Sequence, residues 1–195
     1  MKQRGARPIY LPSHSTRELP AFVGALACAS LFLVGILTNL PCSQSALAQS
    51  NAAVLIEKAY VDVNGMVHIV GGNGKNVKAP KENGQVSCDL VRVANDQQTA
   101  GWLVEVPNCC TSYPIAMTLV IWRSGRIVHR FANGMLIANW HFVDGGKQAA
   151  FYTNTVHGDF APHYELRDLR SGHQVAKWDG PLTDKAPLWA QELSD

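Results

Sequence analysis

Past residue 54 the apolar positions of this chain come in short runs of roughly four to eight, each closed by Gly, Asn, Asp or Pro, and almost no stretch repeats every 3.6 residues. That pattern belongs to β-strands, so residues 49–195 read as a single all-β domain. Tyr60-Val61-Asp62-Val63 and Met66 to Val70 flank Asn64-Gly65, a dipeptide that readily takes the paired positive φ of a type I′ turn, and predict a two-residue hairpin. His163 to Asp168 alternates, with Tyr164 and Leu166 on one side and His163, Glu165 and Arg167 on the other, as a half-buried strand does. Leu119-Val120-Ile121-Trp122 is apolar at every position and predicts a strand covered on both faces. Residues 71–85, rich in Gly and Lys and carrying Pro80, read as a solvated loop. Ala186 to Leu193, with Pro187 near its first turn, is the one segment that reads as a short helix.

Ahead of this domain the pattern changes. Lys2, Arg4, Arg7 and Arg17 precede an apolar run from Ala21 to about Leu37, then Pro41 and the small-residue site Ala46-Leu47-Ala48. This is the layout of a cleaved secretory signal over residues 1–48, leaving Gln49 as the first of 147 residues. The competing reading is an uncleaved anchor, because an apolar run of 17 residues approaches the ~20 that span a bilayer. Cys42 follows Asn39, Leu40 and Pro41, and proline fits poorly beside a lipid-modified cysteine. The expected location is secreted or periplasmic, with membrane contact only through an uncleaved leader.

Composition narrows the class further. At 47% hydrophobic and 16% charged residues, collagen-like, coiled-coil and wholly disordered classes are poor fits. The formal charge of +2 comes from the leader, which holds four bases and one acid; the remainder has 13 bases and 14 acids. So even a balance gives no electrostatic case for a nucleic-acid partner, which calls for a clustered basic face.

An internal repeat is the most informative feature of the chain. Trp122-Arg123-Ser124-Gly125-Arg126-Ile127-Val128-His129-Arg130-Phe131 aligns with Leu169-Arg170-Ser171-Gly172-His173-Gln174-Val175-Ala176-Lys177-Trp178 at an offset of 47 residues. Upstream, Val93 to Ala100 corresponds to Phe142 to Ala149, and the hairpin around Gly65 looks like a third, incomplete copy. The units fall at about 54–85, 86–134 and 135–180, with a C-terminal cap at 181–195. A period near 47 is where propeller blades fall. Trp140 to Lys147, His157-Gly158, and Tyr164 through Asp168-Leu169-Arg170-Ser171-Gly172 resemble one blade of the WD-repeat and related β-propeller families, in which strands end in D-G and D-x-x-[ST]-G turns. The resemblance spans about residues 86–180. It implies a propeller-like fold and a binding platform, and it carries over no catalytic residues. The mature length makes about three blades, whereas closed propellers usually have four to eight. The fold expected is therefore a partial β-propeller-like stack, a ring completed by other copies, or a β-sandwich built from the same hairpins. An open stack needs its ends covered, and the chain offers Asn51 to Leu55 at one end and the short helix bearing Leu188, Trp189 and Leu193 at the other.

Outside the leader there are three cysteines, Cys88, Cys109 and Cys110, an odd count for an oxidising compartment. If Val93 pairs with Ala100, Cys88 faces Glu105 and shares a sheet face with Cys109. That parity favours Cys88–Cys109 over Cys88–Cys110, and a vicinal Cys109–Cys110 bond is a third arrangement. One disulfide and one thiol are expected, as a structural staple.

His157, Asp159 and His163 form the one cluster with plausible ligand chemistry, two imidazoles and a carboxylate of the kind that bind zinc, on a loop between two predicted strands. The plainer interpretation is that Asp159 caps the turn and His157 bonds a neighbouring strand. A fourth ligand at recognisable spacing is missing, and no metal or other cofactor is expected. The sequence also lacks a G-x-S-x-G elbow, an H-E-x-x-H pair and a phosphate-binding loop. Trp102, Trp122, Trp140 and Trp178 fall on predicted strands and read as core packing rather than a stacking platform. The function that fits is an exported binding or structural module for an unknown protein or small-molecule ligand. The enzyme alternative is a metal-assisted hydrolase using the His157, Asp159 and His163 loop.

Overall fold

The alternation read from the sequence becomes three antiparallel sheets in the computed structural model, which describes residues 54–156 and 161–194. Sheet A consists of β1 (Ile56–Val61), β2 (Val67–Gly71) and β3 (Asn76–Lys78). Sheet B follows with β4 (Ser87–Val93), β5 (Thr99–Val106), β6 (Ile115–Arg123) and β7 (Arg126–Phe131). Sheet C is β8 (Leu136–Val143), β9 (Gln148–Asn154), β10 (His163–Asp168) and β11 (Gln174–Asp179). In each, strands adjacent in sequence are adjacent in space. One 3₁₀ turn (Asp144–Gly146) joins β8 to β9, and the short helix α1 (Leu188–Gln191) follows the last strand. The fold is all-β with a short C-terminal helix, and no sheet of the described residues closes into a barrel. No helix among these residues is long and apolar enough to cross a membrane. The leader, with Cys28, Cys42 and Ala46-Leu47-Ala48, lies outside the described residues, as do Asn51 to Ala53.

The strand period of two decides how the sheets stack. Ala100, Trp102 and Val104 of β5 and Val120 and Trp122 of β6 meet Ile56, Val67 and Ile69 of sheet A. The intervening Leu103, Leu119 and Ile121 point the other way, onto Ile137, Trp140, Ala149 and Phe151 of sheet C. Leu119 to Trp122 is therefore apolar throughout because both faces of sheet B are covered. On the far side of sheet C, Ala150, Tyr164 and Leu166 pack with Ala190 and Leu193, and with half-buried Trp178, Leu182 and Trp189 at the margin. At about 1.5–3 kcal/mol for each large side chain withdrawn from water, these three layers hold the stack together. Gly101 sets the B–C spacing: a Cβ there would lie 2.6 Å from the Trp140 ring, and Trp140 itself is anchored by Nε1 donating to the Leu90 carbonyl at 2.9 Å.

Four local expectations need correcting. The first hairpin turns through three residues, Val63-Asn64-Gly65, since the Asp62 N–H donates to the Met66 carbonyl at 2.8 Å and only Gly65, at φ 72°, is left-handed. The Asp62 carboxylate explains this, accepting the N–H groups of Asn64 and Met66 at 2.9 Å each and holding the wider loop. Within 71–85, Asn76–Lys78 is a strand, because it completes the open edge of β2. Val93 does pair with Ala100, but a bulge at Leu90-Val91, with Leu90 at φ 46°, slips the register so that Cys88 faces Val104 and Ser87 faces Glu105. Finally, β10 is buried at its centre on both sides: Glu165 is 3% exposed.

Candidate functional site

Of the three residues proposed as ligands from the sequence, His157 and Asp159 lie outside the described residues. His163, the first residue of β10, is fully engaged. Its Nδ1 faces the Asp179 carboxylate across the sheet, and its Nε2 lies 3.2 Å from Glu165 Oε1. Glu165 in turn accepts two bonds from the Arg167 guanidinium, that from Nε at 2.7 Å, and one from Asn133 Nδ2 at 3.3 Å. Asn133 also donates to Thr153 Oγ1, whose own hydroxyl donates to the His163 carbonyl. A buried carboxylate needs such a set of donors to offset its lost hydration. Asp179 is held below the ordinary carboxylate range by its bond to His163 and then by Lys177. Both imidazole nitrogens of His163 thus point at carboxylates, and no three His, Cys, Asp or Glu side chains among the described residues gather as a metal cage. Strand alternation marked Glu165 as solvent-facing; instead it is buried, and one of its donors, Asn133, is 32 residues away.

The three cysteines among the described residues, Cys88, Cys109 and Cys110, are free thiols, and the expected bridge is absent from the structure. The bulge at Leu90 accounts for Cys88: one slipped position turns it into the core between sheets A and B, at 6% exposure. Burial pushes its thiol up to about 12, with Glu105 and Glu82 adding to the effect, which disfavours the nucleophilic thiolate at neutral pH. Cys109 and Cys110 are exposed on the loop between β5 and β6, with Sγ atoms 2.9 Å apart, and their mutual contact raises the Cys110 thiol above its usual value.

A cleft of about 760 Å³ opens where sheets B and C meet. One wall is the β6–β7 turn, through Arg123, Ser124 and Arg126, continuing into Ile127, Val128 and His129 of β7. The other is Asp168-Leu169-Arg170 at the end of β10, together with Lys147. These are the two Arg-Ser-Gly turns of the internal repeat. They converge because consecutive sheets stack with equivalent turns at the same end, and contact confirms it: a Cβ on Gly172 would lie 2.9 Å from His129 Nδ1. His129 Nε2 donates to the Leu169 carbonyl at 2.8 Å, tying the walls together. Apolar Val128 and Leu169 of the B–C core line the cleft together with cationic side chains, while Ile127 packs toward sheet A.

The rim charge is unbalanced. Four side chains, Arg123, Arg126, Lys147 and Arg170, bring positive charge, and Asp168 is the lone carboxylate on the wall. Asp168 is occupied by its own turn: Oδ1 accepts the Ser171 hydroxyl and N–H, both at 2.7 Å, and the Arg170 N–H at 3.1 Å. These bonds, the Ser171 hydroxyl foremost, hold it below the normal carboxylate range. Sequence reasoning noticed both Arg-Ser-Gly turns as a repeat and drew no site from them; the signal was there, since equivalent turns of stacked units face each other.

No family model matches the sequence, and no curated protein matches it. Among solved structures, Kuenenia stuttgartiensis Hydrazine Synthase is similar over 62% of this chain and 34% of that chain, at 14% sequence identity and a TM-score of 0.42.

Proposed function

We propose that the chain is an exported, non-enzymatic binding module, made of stacked sheets that resemble propeller blades, and that its ligand occupies the cleft between sheets B and C. The observation that carries this reading is the convergence of both Arg-Ser-Gly turns on one cleft of about 760 Å³, a volume typical of small-molecule sites at roughly 300–1,000 Å³. Its walls are turns fixed by the strands they join, an arrangement that presents side chains with little backbone ordering cost. Its chemistry suits recognition. Ser124, the hydroxyl on the wall, has no hydrogen bond to a base among the described residues, and His129 Nε2 is committed to the Leu169 carbonyl. The metal-assisted hydrolase alternative would require His163 to give up a carboxylate contact before it could offer a lone pair.

The test is a small-molecule screen on the exported protein, followed by amide chemical shifts. Binders should move Ile127, Val128, Leu169 and Arg170. Perturbations confined to the 157–163 loop, or about one zinc per chain that disappears when His157 and His163 are both replaced by Ala, would overturn the cleft in favour of the hydrolase. Mass spectrometry of the exported protein should find Gln49 at its amino terminus.

A further inference from the structure

Six arginines lie in the described part of the chain, and four of them have side-chain partners. Arg123 is 3.6 Å from Asp96, Arg130 makes two bonds to Glu82, Arg167 is bonded to Glu165, and Arg92 reaches Asn139 and lies over the Trp140 ring. Among these residues the guanidiniums of Arg126 and Arg170 make no hydrogen bond and no ion pair within 4 Å. Both stand on the rim of the B–C cleft, one on each wall. The other two rim cations are already compensated, Arg123 by Asp96 and Lys147 by Asp144 at 3.1 Å. Asp168, whose carboxylate is also favoured by the Arg170 charge, has Oδ1 filled by its turn. Two planar, permanently charged forks thus face a common space with their donors unspent, where the other four arginines of the described residues are matched to partners.

We infer, building on the cleft as the binding site, that its ligand is a small molecule bearing at least two oxyanion groups, carboxylate or phosphate, with one gripped by Arg126 and another by Arg170. A guanidinium presents parallel N–H donors at the spacing of a carboxylate or phosphate edge, so a forked contact at each wall sets the ligand's orientation as well as its affinity. Val128 and Leu169, the apolar side chains of the two walls that belong to the B–C core, make room for a compact carbon skeleton joining the two anionic ends. Ser124 adds one neutral donor at the rim. The reaction is plain association, with no bond made or broken.

The experiment is calorimetric titration of the exported protein with citrate, with pyrophosphate, and with a neutral disaccharide, at low and at high salt. Citrate, pyrophosphate or both should bind, weakening several-fold as salt is raised because exposed charges are screened. Binding of citrate alone assigns a carboxylate ligand, and of pyrophosphate alone a phosphate ligand. Arg126→Ala and Arg170→Ala should each weaken binding at least tenfold, while Arg130→Ala, which removes a cation on the same strand already paired with Glu82, should leave it unchanged; thermal melts check that all three fold. Unaltered anion binding in the Arg126→Ala/Arg170→Ala double variant overturns the inference. If neither anion binds but neutral molecules still shift the cleft amides, the oxyanion inference falls and the binding module stands. If nothing enters the cleft, both fall. An oligonucleotide that binds the cleft where citrate and pyrophosphate do not also overturns it.

Discussion

The two ends of the sheet stack are finished differently. At the sheet A end the outward positions are polar and satisfy one another. His68 stacks on Tyr60 with ring centroids 5.3 Å apart, its Nδ1 lies 3.1 Å from Asn76 and its Nε2 3.1 Å from Asp62, and Asn76 donates to the Tyr60 hydroxyl. Lys58 covers the same ring. At the sheet C end the outward positions are apolar: Tyr152 and Tyr164 stack at 4.9 Å beside Ala150 and Leu166, and the C-terminal segment has to cover them. Val54 and Leu55, the described part of the cap expected at the first end, are exposed instead. The sheet A end needs no cap because its own strands are water-compatible. What terminates a stack of sheets is thus the outward half of each strand's alternation, since the inward half is alike at both ends.

Breaking the covered end should have the largest effect. Truncation after Gly180 removes Leu193, Ala190 and the half-buried Trp189, a loss of at least about 3 kcal/mol of burial, and leaves Tyr164 and Leu166 facing water. Light scattering should show oligomers and the melting temperature should drop; a monomer melting with the parent would mean the segment covers nothing. Leu193→Ala alone, at a side chain 2% exposed, should cost about 2–3 kcal/mol in denaturant unfolding. At the polar end Tyr60→Ala should cost about 1 kcal/mol or less, the scale of one exposed cross-strand pair. If Tyr60→Ala matched Leu193→Ala, the contrast between the ends would be lost.

The smallest effect sharpens the same contrast through pH. Asp62, near one end, is held below its usual 3.8 by backbone N–H groups, Met66 first, and by His68; Asp179, near the other, is held low by His163 and then Lys177. A depressed folded-state value stabilises above the unfolded value of 3.8, and that stabilisation disappears as pH falls through the folded value. Asp62→Asn and Asp179→Asn should therefore each be less stable than the parent at pH 7. The gap should narrow below pH 3.8 in thermal melts.

Much of this fold was legible because strand alternation is a short-range signal. Leu119 to Trp122 announced a doubly covered strand and the Ala186 to Leu193 segment a short helix, since each depends only on its own side chains. The register of Cys88 was not legible: a single bulge at Leu90, a residue with no intrinsic taste for positive φ, reverses which side chains face inward. Glu165 was misjudged for a related reason, since alternation gives a side chain's direction and not what lies there. The cleft was half legible. Both of its turns stood out as a repeat, but that they share one end of adjacent sheets depends on how whole sheets stack. His157 and Asp159 lie outside the described residues.

Sheet B, covered on both faces and paired along both edges of β5 and β6, also sets how the molecule opens. Deuterium can reach the amides of those two strands only when the whole stack comes apart, so their exchange reports global stability. The helix α1 is four residues long and can lift without disturbing any sheet pairing. Exchange along β11, a sheet edge, therefore measures only local opening at that end, and proteolysis should begin there, long before the centre yields.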